Sequence, residues 1–198
     1  QEDIYGDIAV YNALKDKADA KDKLFLVMGP WYHGQEIRDG SSIGKVKFDS
    51  DTALYFRKNI LHPFLDQYLK DNAPKANVSA ISAFETGTNT WQHLSELPTT
   101  KSTSLYLTSG MSASFVVPKS KTTPYDEYIS DPAKPVPFRS RPIRPVGYDP
   151  IRGLTWPEWL LDDQREASSR TDVLSYVSNV LTSPVKISGQ PIANLIAS

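Results

Sequence analysis

Residues 24–28, Leu-Phe-Leu-Val-Met, form an unbroken apolar run that Gly29-Pro30 closes. A run of that length suits a strand buried on both faces, as in the parallel sheet of an α/β domain. Such a strand needs helices on both of its faces, and the flanking sequence supplies them. Ile4, Ile8, Tyr11 and Leu14 recur at helical spacing and predict a short amphipathic helix over 3–17, ended by the polar run Lys15 to Lys23. From Ser50 or Asp51, an N-cap, a second stripe of Ala53, Phe56, Ile60, Leu61, Phe64, Leu65 and Leu69 runs to Lys70. Pro63 lies inside that stripe and predicts a kink. Val78 to Phe84, with β-branched and small residues, reads as another strand, and residues 91–93 as a loop.

The pattern changes near residue 98. Ser104 to Thr108 and Ser114 to Val117 read as short strands around a Ser109-Gly110 turn, and Val185 to Gly189 returns to strand alternation. Between them, residues 131–150 hold prolines 132, 135, 137, 142, 145 and 150, too many for a ladder strand and better suited to an ordered extended excursion. The back half therefore reads as an antiparallel sandwich or jelly roll with too few strands to close, a shortage that suggests a truncated domain. The fold class expected is α/β followed by all-β, divided as residues 1–98 and 99–198.

Composition narrows the function. The 198 residues carry 22 Lys+Arg against 23 Asp+Glu, spread along the chain, so no concentrated basic face offers itself to nucleic acid or an anionic membrane. No stretch approaches the roughly 18 apolar residues of a bilayer span. With no Cys and three scattered His, disulfides, thiolate catalysis and the usual zinc sites fall away, and no metal or cofactor is expected.

The chemistry concentrates on Gly29-Pro30-Trp31-Tyr32-His33-Gly34, which places His33 on a tight loop at a strand's carboxyl end. Catalytic groups of open α/β sheets gather there, and an imidazole that titrates near neutrality can take and return a proton. The plain alternative is a solvated loop histidine. A matching nucleophile is missing: Gly40-Ser41-Ser42-Ile43-Gly44 fits G-x-S-x-G by letter but lacks the strand-turn-helix setting, and reads as a turn. Glu2 and Asp3 are adjacent carboxylates at a helix start. They suit ordinary capping, or could bind a substrate ammonium or a metal. His62 and His93 read as structural, as do Trp91, Trp156 and Trp159, which suit cores. Arg139, Arg141, Arg144 and Arg152 could form an anion site but suit exposed loops better.

Seven ordered segments carry a specific resemblance over nearly the whole chain. GPWYHG, DGSSIG, RKNILHPFLDQYLKD, FETGTNTWQHLSELP, DPAKPVPFRSRPI, LDDQR and RTDVLSYVSNVLTSPVKISG resemble segments of α-amino-acid ester hydrolases, relatives of glutaryl-cephalosporin acylases, cocaine esterase and X-Pro dipeptidyl peptidases. The resemblance implies the C-terminal part of an α/β-hydrolase domain followed by part of a jelly roll. It implies a Ser-Asp-His triad in which His33 is the histidine, with Glu2 and Asp3 in the acidic cluster that holds the substrate's α-ammonium group. The triad aspartate would stand just before Gln1, and the nucleophilic serine and oxyanion donors further upstream. The chain thus reads as an internal piece of a longer serine esterase or acylase, inactive by itself and partnered by the remainder of the same polypeptide. The implied substrates are α-amino esters and amides, including β-lactam antibiotics, in a periplasmic or secreted protein that could form homo-oligomers. A glutaryl acylase, a cocaine-esterase-like hydrolase or an X-Pro dipeptidyl peptidase is the alternative within enzymes, and a jelly-roll binding module the alternative outside them.

Overall fold

The structure is a computed structural model that describes residues 4–20, 23–99, 101–119, 125–139, 141–145 and 147–196. It divides into two units, Gln1–Leu97 with Arg144–Asp162, and Pro98–Ile143 with Asp163–Ser198.

The first unit is built on a mixed sheet of three strands. β1 (Leu26–Met28) pairs in parallel with β4 (Ile81–Glu85), which pairs antiparallel with β5 (Thr90–Leu94). Register sorts the side chains by face. Leu26 lies opposite Ile81, and Ile81 opposite Leu94; with Tyr11 of α1 (Ile4–Leu14) and Leu24, Met28 and Leu97 they form an apolar cluster. On the other face Ser82 lies opposite His93 and Phe84 opposite Trp91. α1 covers the first face, and on the second Tyr55 of the helix that starts at Thr52 stacks on Trp91, so helices cover both, as an apolar strand without polar alternation requires. Only part of the predicted α1 stripe is used: Tyr11 is buried while Leu14 is exposed.

Between β1 and β4 run a loop over residues 29–41, a hairpin of β2 (Ser42–Ile43) and β3 (Val46–Lys47), and a long helix. The helix begins as α2 (Thr52–Phe56), widens to a π-turn over Arg57–Leu61 and resumes as α3 (His62–Leu69). The widening sits directly before Pro63, whose ring has no N–H to donate and needs room beside the preceding turn. There the His62 N–H reaches back five residues to the Arg57 carbonyl, and the Asn59 side chain donates to the Tyr55 carbonyl. The expected kink is therefore a π-turn.

Residues 144–162 belong with this first unit, a return that the proline-rich pattern does not announce. β8 (Tyr148–Asp149) and β9 (Gly153–Leu154) form a small hairpin leading into α4 (Trp156–Leu160). Buried Thr155 anchors it, its hydroxyl donating to the Pro145 carbonyl at 2.8 Å and its N–H to Gly147 at 2.9 Å.

In the second unit β6 (Tyr106–Thr108) pairs antiparallel with β7 (Ser112–Ser114) across Gly110 and Met111, both at positive φ. A short helix α5 (Arg165–Ser168) follows in sequence, and β10 (Val177–Ser178) pairs in parallel with β7. The expected strand at residues 114–117 ends after Ser114, leaving Val116 and Val117 exposed. Residues 185–189 join no ladder; alternation alone does not make a strand where no partner edge is supplied.

Candidate active site

His33 lies five residues beyond Met28 on the loop leaving the carboxyl end of β1, and its side chain is exposed. The loop around it is held from inside and outside. Gly29 allows the first bend: a Cβ there would sit 2.4 Å from the Trp31 ring, so only glycine lets that indole fold back over the chain. The indole packs against Phe56 at 5.1 Å and Trp91 at 6.0 Å between ring centroids, and its N–H donates to the Thr52 hydroxyl at 2.8 Å.

Gln35 holds the loop from within. It is 3% exposed, and its amide makes three hydrogen bonds to the backbone, with both Nε2 protons donated. Its Oε1 accepts from the Tyr32 N–H at 3.2 Å, and its Nε2 donates to the Asp39 and Ser42 carbonyls at 3.0 and 2.7 Å. Its backbone N–H closes on the Tyr32 carbonyl at 2.9 Å, so the chain turns tightly about His33, with Gly34 at φ 79.

The long helix holds the loop from outside. The Thr52 hydroxyl donates to the Gly40 carbonyl at 2.8 Å, and Asp51 accepts from the Gly40 N–H at 2.8 Å while capping the helix through Leu54. Arg57 donates to the Glu36 and Arg38 carbonyls, each at 2.7 Å. Burial pushes the Asp51 carboxyl up, but the N–H groups of Leu54 and Gly40 with the Arg57 charge outweigh it and hold it below its ordinary value.

Glu2 and Asp3 lie outside the described residues. The Gly40–Gly44 stretch leads into the β2–β3 hairpin, where the Ser41 hydroxyl donates to Asp39. His62 is exposed on α3, 3.6 Å from Asp66. His93 corrects the expectation of a loop residue without partners: it stands on β5 with Nδ1 3.3 Å from the Ser82 hydroxyl and Nε2 3.2 Å from the Tyr55 hydroxyl. Arg144 and Arg152 belong to the first unit and each faces a carboxylate, Asp149 at 3.6 Å and Glu158 at 3.4 Å, whereas Arg139 and Arg141 belong to the second. Missed in the sequence were Gln35, Thr52 and Arg57 as loop holders. Only Thr52 carried a signal, its place next to the Asp51 cap.

The apolar groove of about 420 Å³ in this unit is lined by Val10, Tyr11, Leu24 to Val27 and Phe64 among others, and His33 is not part of it.

No family model matches the chain. The cocaine esterase of Rhodococcus sp. (strain MB1 Bresler) is 28% identical over 201 residues, covering 96% of this chain and 33% of that protein. The crystal structure of an aminopeptidase from the marine sediment archaeon Thaumarchaeota archaeon superposes with a TM-score of 0.78 at 45% identity, over 87% of this chain and 28% of that one. An α-amino acid ester hydrolase superposes with a TM-score of 0.82 at 41% identity, over 95% of this chain and 31% of that one. The chain spans about a third of the length of the relatives it matches. In sequence and in fold, this chain is α-amino-acid ester hydrolase-like along nearly its whole length.

Proposed function

We propose that these residues contribute the proton-transferring histidine of a serine hydrolase acting on α-amino-acid esters and amides, the serine and its aspartate coming from other parts of the full-length protein. One observation carries the reading: an exposed imidazole on a braced loop at the carboxyl end of a parallel strand, in a chain 41% identical to an α-amino acid ester hydrolase. His33 takes the serine hydroxyl proton as oxygen attacks the acyl carbonyl, then gives it to the departing alkoxide or amine. Water next attacks the acyl-enzyme, its proton passing through His33 back to the serine oxygen. An acceptor amine in place of water completes an acyl transfer, and β-lactams with α-amino acyl side chains fit the same scheme. Glu2 and Asp3 bind the α-ammonium group and repel acyl groups with a negative tail. The second unit forms part of a jelly roll.

The similarity to an aminopeptidase favours a second reading, amide hydrolysis at a free α-amino residue, which uses the same ammonium site. In the full-length protein, His33→Ala is expected to lower kcat for an α-amino ester by ~10⁴-fold or more. Glu2→Ala and Asp3→Ala should erase the preference for that ester over its desamino analogue, and the ratio of ester to peptide turnover separates the two readings. Wild-type kcat in a folded His33→Ala variant refutes the hydrolase reading.

A further inference from the structure

We propose that Thr52 is the positioning residue for His33, one buried hydroxyl that closes the loop carrying the histidine; the inference rests on the proposed role of His33. The loop leaves β1 and must return to the start of α2, and the same oxygen holds it near both ends. It accepts the Trp31 indole N–H at 2.8 Å and donates to the Gly40 carbonyl at 2.8 Å. Thr52 is 0% exposed, so water cannot replace either bond. The approach is close enough to demand glycine on the far side: a Cβ on Gly40 would lie 2.8 Å from this oxygen and 2.5 Å from the Ala53 nitrogen.

Each neighbour of the hydroxyl is fixed in turn. Trp31 is wedged against Phe56 and Trp91, and Gly40 is held by Asp51 through its N–H. His33 stands two residues beyond Trp31 and one beyond Tyr32, whose N–H is held by Gln35. The backbone of the imidazole is therefore set, leaving its own side-chain torsions to be adjusted. A proton-transferring base must be held within roughly 0.5 Å of its working position, and a displacement of about 1 Å can cost ~100-fold in rate.

The test uses the full-length protein with an α-amino ester, and reads kcat, KM and the thermal midpoint of each variant. Thr52→Val keeps the shape of the side chain and removes both bonds; kcat should fall ~10- to 100-fold with KM within about threefold, measured well below the melting temperature. Thr52→Ser restores the hydroxyl and should recover kcat to within about threefold. Should Thr52→Val fail to fold, Trp31→Phe keeps a ring and removes the donor, and the same selective loss of kcat is expected. A folded variant with a lowered midpoint but unchanged kcat overturns the inference, as does a rise in KM alone or a serine variant that recovers nothing. His33→Ala is run alongside: if it is inactive while Thr52→Val or Trp31→Phe keeps the wild-type kcat, the positioning role fails and the reading of His33 stands. If His33→Ala is fully active, that reading itself fails.

Discussion

Asp51 shows how a local signal and a distant contact meet in one residue. As the residue before an apolar helical stripe it was legible as an N-cap, and its Oδ1 accepts the Leu54 N–H at 2.9 Å. Nothing local announces that the same oxygen takes the Gly40 N–H, eleven residues back. Its folded pKa lies below the unfolded one, so the stability it supplies is complete above about pH 4 and is lost as pH falls through the lower folded value. Asp51→Asn should flatten that acid limb in urea unfolding followed from pH 7 to pH 3, and Asp51→Ala should cost about 1 kcal/mol at neutral pH. An unchanged acid limb in the Asn variant would assign the titration elsewhere. Gly40 makes the complementary case. Its added methyl meets the Ala53 backbone, which cannot swing aside, so Gly40→Ala should destabilise by about 1–3 kcal/mol or more in the same measurement. His33 was legible because an apolar run and a Gly-Pro closure place a loop at a strand end; Gln35 was not, and Thr52 only through its place after the Asp51 cap, because their partners are fixed only by the fold.

At the scale of elements, the runs with strong local signals formed where expected, the strands shorter than their runs: Leu26–Met28 within the run 24–28, the helix from Thr52, and Ile81–Glu85 for the run 78–84. β5 was hidden. Trp91, Gln92 and His93 follow the turn residues 86–89 and carry no β-branched run, and what makes them a strand is the edge that β4 offers. On the face shared by Ser82, Phe84, Trp91 and His93, Tyr55 from α2 stacks on Trp91 at 5.2 Å with planes 18° apart and touches His93 through its hydroxyl. The helix is thus seated on the hairpin chiefly through an aromatic stack. Trp91→Ala should cost about 3 kcal/mol, and Tyr55→Phe, which keeps the stack and loses only the hydroxyl bond, about 1 kcal/mol or less. Equal losses in thermal or urea unfolding would shift the weight from ring to hydroxyl. The opposite failure, at residues 185–189, has the same root: alternation was present and an edge was not.

Across the whole molecule, burial is unevenly shared. Among the described residues, the buried hydrophobic side chains are Tyr11, Leu26, Ile43, Phe48, Ala53, Ile60 and Ile81 in the first unit and Ala113 alone in the second. The second unit instead exposes Val116, Val117, Ile129, Val180, Ile187 and Ile192. Protection of a backbone amide tracks the free energy of the opening that exposes it, and openings are cheap where few apolar contacts are lost. Hydrogen exchange should therefore be slowest at β4, which is flanked by a strand on each side, and faster by orders of magnitude at β6, β7 and β10. Residues 147–155 should exchange with the slower group, because Thr155 and Asp149 are buried and tied to their neighbours by hydrogen bonds that must break together. Uniform protection across both units would mean that apolar burial does not set the stability of the second unit.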